Sequence, residues 1–300
     1  MRFPKYTPQF ISNTIERKFI RAVFAALIIL AFDFYGLICI AGGENRNARI
    51  YFLNVGQGDS ELIVFPTGAR VLIDGGPPNG MVLSEIGKIF SVWNRSIDAV
   101  ILTHPERDHF GGLVEILRRV SVGAVLTNGF DFEEKGEGLN DLKSAIEESK
   151  ATRVSIAKGD VMRNGDSVIR VLWPPKEISP KTETNDTSIV ALLETGELKA
   201  LFTGDIGDRT EKAIMFSGVK ADILKIPHHG SRYSSGSLFL QAVDPAAVFI
   251  EVGVNSYGHP SADVLERLTK TGARVWRTDT DGTVMAELMD GKLKIYGFGD

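Results

Sequence analysis

Residues 103–112 read Thr103-His104-Pro105-Glu106-Arg107-Asp108-His109-Phe110-Gly111-Gly112. The run follows an apolar stretch, 99–102, that reads as a strand, and it precedes a helical stretch at 112–120. Four potential metal ligands, His104, Glu106, Asp108 and His109, fall within six positions of a loop at a strand end. Such a loop brings its side chains to one point, and mixed imidazole and carboxylate donors suit Zn²⁺ or Mn²⁺. The competing reading makes Asp108 an ordinary helix cap. It leaves two histidines and Glu106 without a reason.

Working outward, the other histidines also sit at junctions of apolar runs and loops. Ile226-Pro227-His228-His229-Gly230-Ser231 follows a strand-like run, and His259 lies in Tyr257-Gly258-His259-Pro260. Leu201-Phe202-Thr203-Gly204-Asp205 ends an apolar strand on Gly-Asp, a position from which a carboxylate can bridge two metals. Alone it is also a common turn. Asn54-Val55-Gly56-Gln57-Gly58-Asp59 and Ile73-Asp74-Gly75-Gly76 each place an aspartate and glycines at a strand end. The first lacks the following Lys-Ser/Thr and helix of a phosphate-cradling P-loop, which excludes that reading.

Strand-like runs at 49–55, 61–65, 70–73, 99–102, 168–173, 188–193, 199–202, 222–226 and 247–250 alternate with helical ones at 112–120, 139–149, 208–216, 237–243 and 262–271. Hairpin-like pairs at both ends with crossover helices between them predict an α/β fold of two sheets covered by helices. Residues 49–300 read as one domain. The single cysteine, Cys39, excludes a disulfide framework and a zinc site built on several thiolates, and no disulfide-linked partner is expected. Residues 1–48 carry six Lys/Arg against three acids, which leaves 28 basic and 35 acidic side chains in the rest, a balance of −7. So acidic a body is no simple basic platform for nucleic acid.

Residues 22–43 form an apolar run with one charge, Asp33, close to the roughly 20 residues a membrane helix needs. Arg17, Lys18 and Arg21 abut its start, so 1–21 is expected in the cytoplasm and the body outside it. This gives a single-pass cell-membrane protein with an extracytoplasmic body. The alternative is a signal peptide, cleaved near Ala41-Gly42-Gly43, and a secreted body.

Together, His104-x-Glu106-x-Asp108-His109 resembles the H-x-[HD]-x-D-H signature of the metallo-β-lactamase fold. The ordered set at 55–59, 74–76, 104–112, 203–205, 227–231, 257–260 and 278–282 is similar to the C-terminal hydrolase domain of ComEC-type DNA-uptake proteins. Neither the multi-pass channel region nor the OB-fold region of those proteins is read in these 300 residues, so DNA import is not among the expectations. The resemblance implies a four-layer αββα sandwich, preceded here by one N-terminal membrane helix, with two divalent metal ions (Mn²⁺ or Zn²⁺) at one sheet edge. It implies His104 and Glu106 at the first metal, Asp108 and His109 at the second, Asp205 bridging and His229 as the late histidine. No histidine lies between His109 and His228, so Asn185 or Asp186 is the candidate for a further ligand place. Asp59 and Asp74 are expected behind the ligands, and Ser231, Tyr257 and Asp279 on the substrate side. The implied catalytic set is Asp108 together with His228 or His259 as the proton donor to the leaving group.

The activity expected is a metal-dependent phosphodiesterase or nuclease acting through a water activated by both ions. A lactonase, thioesterase or β-lactamase-like hydrolase is the alternative, since one fold hosts many chemistries. A tethered binding protein with a degenerate site is the third reading, and five histidines all at motif positions argue against it.

Overall fold

In the computed structural model, residues 47–90, 95–130, 138–179, 181–289 and 291–298 are described. The expected segments 1–21 and 22–43 lie outside them. Among the described residues no helix is long and apolar enough to cross a membrane.

The fifteen described strands form two sheets. The first has the order β15(Lys292–Gly297), β14(Val284–Met289), β1(Arg49–Phe52), β2(Glu61–Val64), β3(Arg70–Ile73), β4(Ser96–Leu102), β5(Ser121–Thr127), β6(Thr152–Ser155). The second runs β13(Arg274–Arg277), β12(Ala247–Ile250), β11(Ile223–Lys225), β10(Leu198–Phe202), β9(Val190–Thr195), β8(Ser167–Trp173), β7(Val161–Asn164). In each sheet an antiparallel meander passes into parallel strands, β3 to β6 in one and β10 to β13 in the other.

Side-chain alternation decides how the layers stack. In β1, Ile50 and Phe52 point between the sheets, while Tyr51 points to the outer face. Phe52 of the first sheet stacks on Phe249 of the second at 3.8 Å between centroids and 8° between planes. Burying one such side chain is worth roughly 1.5–3 kcal/mol. Helices Met81–Ile89, Leu113–Arg119 and Leu139–Ser149 supply the apolar faces over the first sheet. Asp208–Met215, Ser237–Val243 and Ala262–Thr271 do so over the second. The last starts where the sequence marks it: Ser261 accepts a hydrogen bond from the Val264 amide, and Gly272 ends it at φ 77°.

This architecture positions chemistry at one edge. The inner parallel strands β3, β11 and β12 are buried on both faces, hence their mostly apolar runs, and the C-terminal ends of the parallel strands are where the chain leaves the sheet. Asp74 follows β3, His104 follows β4, Asp205 follows β10, and His228 and His229 follow β11.

Candidate metal centre

His109 is held first by its loop. The Gly75 amide donates to the His109 carbonyl at 2.7 Å, and the Gly112 amide to that of Gly76 at 2.9 Å. A Cβ on Gly112 would lie 2.1 Å from the Gly75 oxygen, so only glycine lets these two loops touch. The contact sets His109 Nδ1 2.7 Å from Asp74 Oδ2, while Asp74 accepts from the Thr103 amide at 2.8 Å and the Thr103 hydroxyl at 2.6 Å. A carboxylate behind an imidazole fixes the ring and leaves Nε2 for a metal. His104 packs beside it, with ring centroids 4.2 Å apart and Nδ1 3.0 Å from the Thr103 hydroxyl.

His229 has the same arrangement on the other side. Its Nδ1 lies 2.8 Å from the Glu251 carbonyl and 3.1 Å from Asp59 Oδ1. His228 and His229 both adopt left-handed backbone, φ 50° and 51°, which costs of order 1–3 kcal/mol for a non-glycine residue. The turn survives because the His228 amide donates to the Gly204 carbonyl at 3.2 Å and its carbonyl accepts from the Ser231 amide at 2.8 Å.

The free ends of these side chains converge on Asp205. Its Oδ2 lies 3.3 Å from His109 Nε2 and 3.3 Å from His229 Nε2, and His229 Nε2 is 3.4 Å from Asp108 Oδ2. Donor atoms of His104, His109 and Asp205 all lie within 4.8 Å of one another, as do those of Asp108, His109 and His229. Nε2 of His104, His109 and His229 is buried with no hydrogen-bond partner. Buried polar atoms left unpaired are expensive, and a shared cation would satisfy these three. Glu106 stands further out, with Oε2 4.0 Å from His104 Nε2 and its side chain 40% exposed.

Electrostatics agree with a cation site. Burial opposes charge on His109 and His229, yet Asp205 and its neighbouring carboxylates hold both well above the usual histidine range. Burial likewise opposes charge on Asp205, but His229 and His109 hold its carboxyl well below the ordinary value. His104 is pushed down to about 3 by burial and by His109, so its imidazole is neutral.

Four expected site residues are placed elsewhere, for physical reasons. Asp186 Oδ1 accepts from the Gly207 amide at 3.0 Å and the Thr210 hydroxyl at 2.9 Å, so its carboxylate serves the start of helix Asp208–Met215. This corrects its expected ligand role. Asn185 turns its carbonyl to Ser188, whose buried hydroxyl accepts from the Asp205 amide at 3.2 Å. Asp186 does not join the converging donors. Asp279 is paired with Arg277 at 3.0 and 2.6 Å and does not line the cavity at the centre, and Ser231 is buried in the turn rather than facing substrate space. That cavity, about 370 Å³, is lined by Asp108, Asp205, His228, His229, Tyr257 and His259 among others.

Sequence reasoning missed a buried polar floor. Lys225 is fully buried; its ammonium contacts the Asp59 carboxylate, donates to the Gly204 carbonyl at 3.0 Å and lies 3.6 Å from Asp205 Oδ1. Glu61 and Glu251 lie beside it, and burial with Asp59 nearby pushes Glu251 up to about 8. The signal was present: in Ile223-Leu224-Lys225, alternation points Lys225 inward with Ile223, where a core side chain is due.

A family model described as the Metallo-beta-lactamase superfamily matches residues 53–250. The chain belongs to that superfamily. As a metallo-β-lactamase superfamily member it is 34% identical to ComE operon protein 3 of Bacillus subtilis over 260 residues, 80% of this chain and 33% of that protein. It is 25% identical to Competence protein ComA of Neisseria gonorrhoeae over 283 residues, 91% of this chain and 37% of that one. The chain thus spans about a third of the length of these curated relatives. Among solved structures, the metallo-β-lactamase fold protein YhfI from Bacillus subtilis aligns with TM-score 0.55 at 12% identity, covering 79% of this chain and 98% of that one. That likeness concerns the fold alone.

Proposed function

We propose that this metallo-β-lactamase superfamily member is a metal-dependent phosphodiesterase, acting on nucleic acid, with two divalent ions held by His104, Glu106, Asp108, His109, Asp205 and His229. The observation that carries the reading is the set of buried, unpaired Nε2 atoms aimed at the Asp205 carboxylate. The relatives' names, which include competence and recombination proteins, favour nucleic acid as the phosphodiester. Bound ions of this kind supply a water nucleophile at neutral pH and stabilise developing oxyanion charge.

The chain's own groups do the rest. Asp74 and Asp59 orient His109 and His229. His228, whose Nε2 is 4.0 Å from Asp205 Oδ2, and His259, 5.5 Å away ring to ring, face the cavity. Burial holds both below the usual histidine range. An entering phosphodiester anion raises them again and lets one hold the proton that the leaving oxygen needs.

The test is turnover of bis(p-nitrophenyl) phosphate, single-stranded DNA, a lactone and a cephalosporin with Mn²⁺ or Zn²⁺. Hydrolysis of the two phosphodiesters alone is expected. Hydrolysis of the lactone or cephalosporin instead would establish the other hydrolase class.

Glu106 tests the metal assignment. A carboxylate there makes the first position hard and oxygen-rich, which favours Mn²⁺ over Zn²⁺. Glu106→His is expected to move the activity optimum from Mn²⁺ toward Zn²⁺ without unfolding, because the side chain is 40% exposed. Superimposable Mn²⁺ and Zn²⁺ response curves for both proteins would remove Glu106 from the ligand set.

A further inference from the structure

Beyond the ligands, the cavity wall includes a loop whose construction the metal centre does not explain. Residues 251–260 connect β12 to the segment before helix Ala262–Thr271. Asn255 braces this loop from within. Its Nδ2 donates to the carbonyls of Gly253 at 2.9 Å and His259 at 2.8 Å. Its Oδ1 accepts from the amides of Tyr257 and His259, both at 3.1 Å. One side-chain amide therefore uses both hydrogens and both lone pairs on a single turn. The base of the loop is tied down as well, since the Gly253 amide donates to Gln57 Oε1 at 3.3 Å.

What the braced loop presents is apolar and in solvent. Val254 is 103% exposed and Tyr257 73%. Val254 gains no packing from the fold and Tyr257 little beyond its contact with His259, so what these side chains bury does not explain the order of the loop. Tyr257 lies nearly parallel to His259, with centroids 5.8 Å apart and 29° between planes, and His259 is 6.4 Å from His229. The tyrosine is thus separated by one ring, that of His259, from His229. Pro77 and Pro78 line the same cavity with flat, apolar faces.

We propose that Tyr257, held by Asn255, is a stacking platform for an unpaired nucleobase next to the scissile phosphate, so that the site takes single-stranded nucleic acid or frayed ends. This rests on the phosphodiesterase reading above and specifies its substrate. A base inside a duplex has both faces covered, whereas an unpaired base offers a face to an exposed aromatic ring. Stacking also answers the charge problem. The side chains of a body with a balance of −7 give little attraction to phosphates away from the metal centre, and base–aromatic contact is a sequence-tolerant source of affinity there.

The test uses the full chain with Mn²⁺ and two labelled phosphorothioate probes, a short oligothymidylate and an abasic chain of equal length and charge. Binding is followed by fluorescence anisotropy, which does not depend on turnover. Wild type is expected to prefer the oligothymidylate by about tenfold, Tyr257→Ala to lose that preference and Tyr257→Trp to keep it. Tyr257 is exposed, so all three proteins are expected to melt alike. A wild type without the preference, or a Tyr257→Ala protein that retains it, would overturn the platform. If the preference behaves as expected but the substrate panel shows no phosphodiester turnover, the catalytic reading fails and the binding subsite stands.

Discussion

Lys225→Met is expected to destabilise the fold by about 3–5 kcal/mol, the cost of breaking a buried ion pair by removing one partner. The side chains are similar in length, so the loss is electrostatic rather than steric. Lys225 is completely buried, and burial alone would depress its ammonium. Asp59 and Asp205, with Glu61 and Glu251 behind them, hold it charged instead. Without it, the Asp59 carboxylate is buried and under-neutralised, and the Gly204 carbonyl loses a donor at 3.0 Å. Replacing the pair together, as in Lys225→Met with Asp59→Leu, is expected to recover most of the stability, because no lone charge then remains. Urea unfolding midpoints at constant slope give the comparison. A single variant within about 1 kcal/mol of wild type would show that water or a shared proton already neutralises this floor.

That floor also shows where the sequence is legible. Strands buried on both faces, Arg70–Ile73 and Ala247–Ile250, coincide with the runs read from their apolar character, and Leu139–Ser149 coincides with its helical run. The strands Thr152–Ser155 and Lys292–Gly297 escape that reading because they are the two edge strands of the first sheet and mostly solvent-facing, so nothing imposes an apolar pattern. Helix Met81–Ile89 escapes it because Gly80, left-handed at φ 75°, precedes it and no side chain caps it. At the site, His104, Asp108, His109, Asp205 and His229 are visible because ligand residue types cluster at strand ends. Asp186 misleads for the same reason: a carboxylate close in sequence to the centre is taken by a helix start, and only three-dimensional structure distinguishes the two uses. Lys225 is hidden because it lies far in sequence from Asp59, and its charge has meaning only once the two sheets face each other.

Asp205→Asn is expected to reduce turnover by more than about 100-fold, beyond the 10–100-fold range usual for residues that only support a ligand. Its Oδ2 is 3.3 Å from Nε2 of both His109 and His229, which places one negative oxygen between the two histidine arms. The amide keeps the volume and the Ser188 contact of the backbone, and Lys225 still has Asp59, so unfolding is not the expected route to the loss. On the proposed assignment, what disappears is the charge that both ions would share, and elemental analysis of the purified variant is therefore expected to show both depleted. Asp74→Asn is the contrast. It leaves the donor set intact and only weakens the orientation of His109, 2.7 Å away, so metal affinity is expected to fall by roughly 10–100-fold while the stoichiometry at saturating metal is kept. If Asp205→Asn retained metal and turnover at the level of Asp74→Asn, Asp205 would be a supporting residue, and the centre would have to be rebuilt around Asp108 and the three histidines.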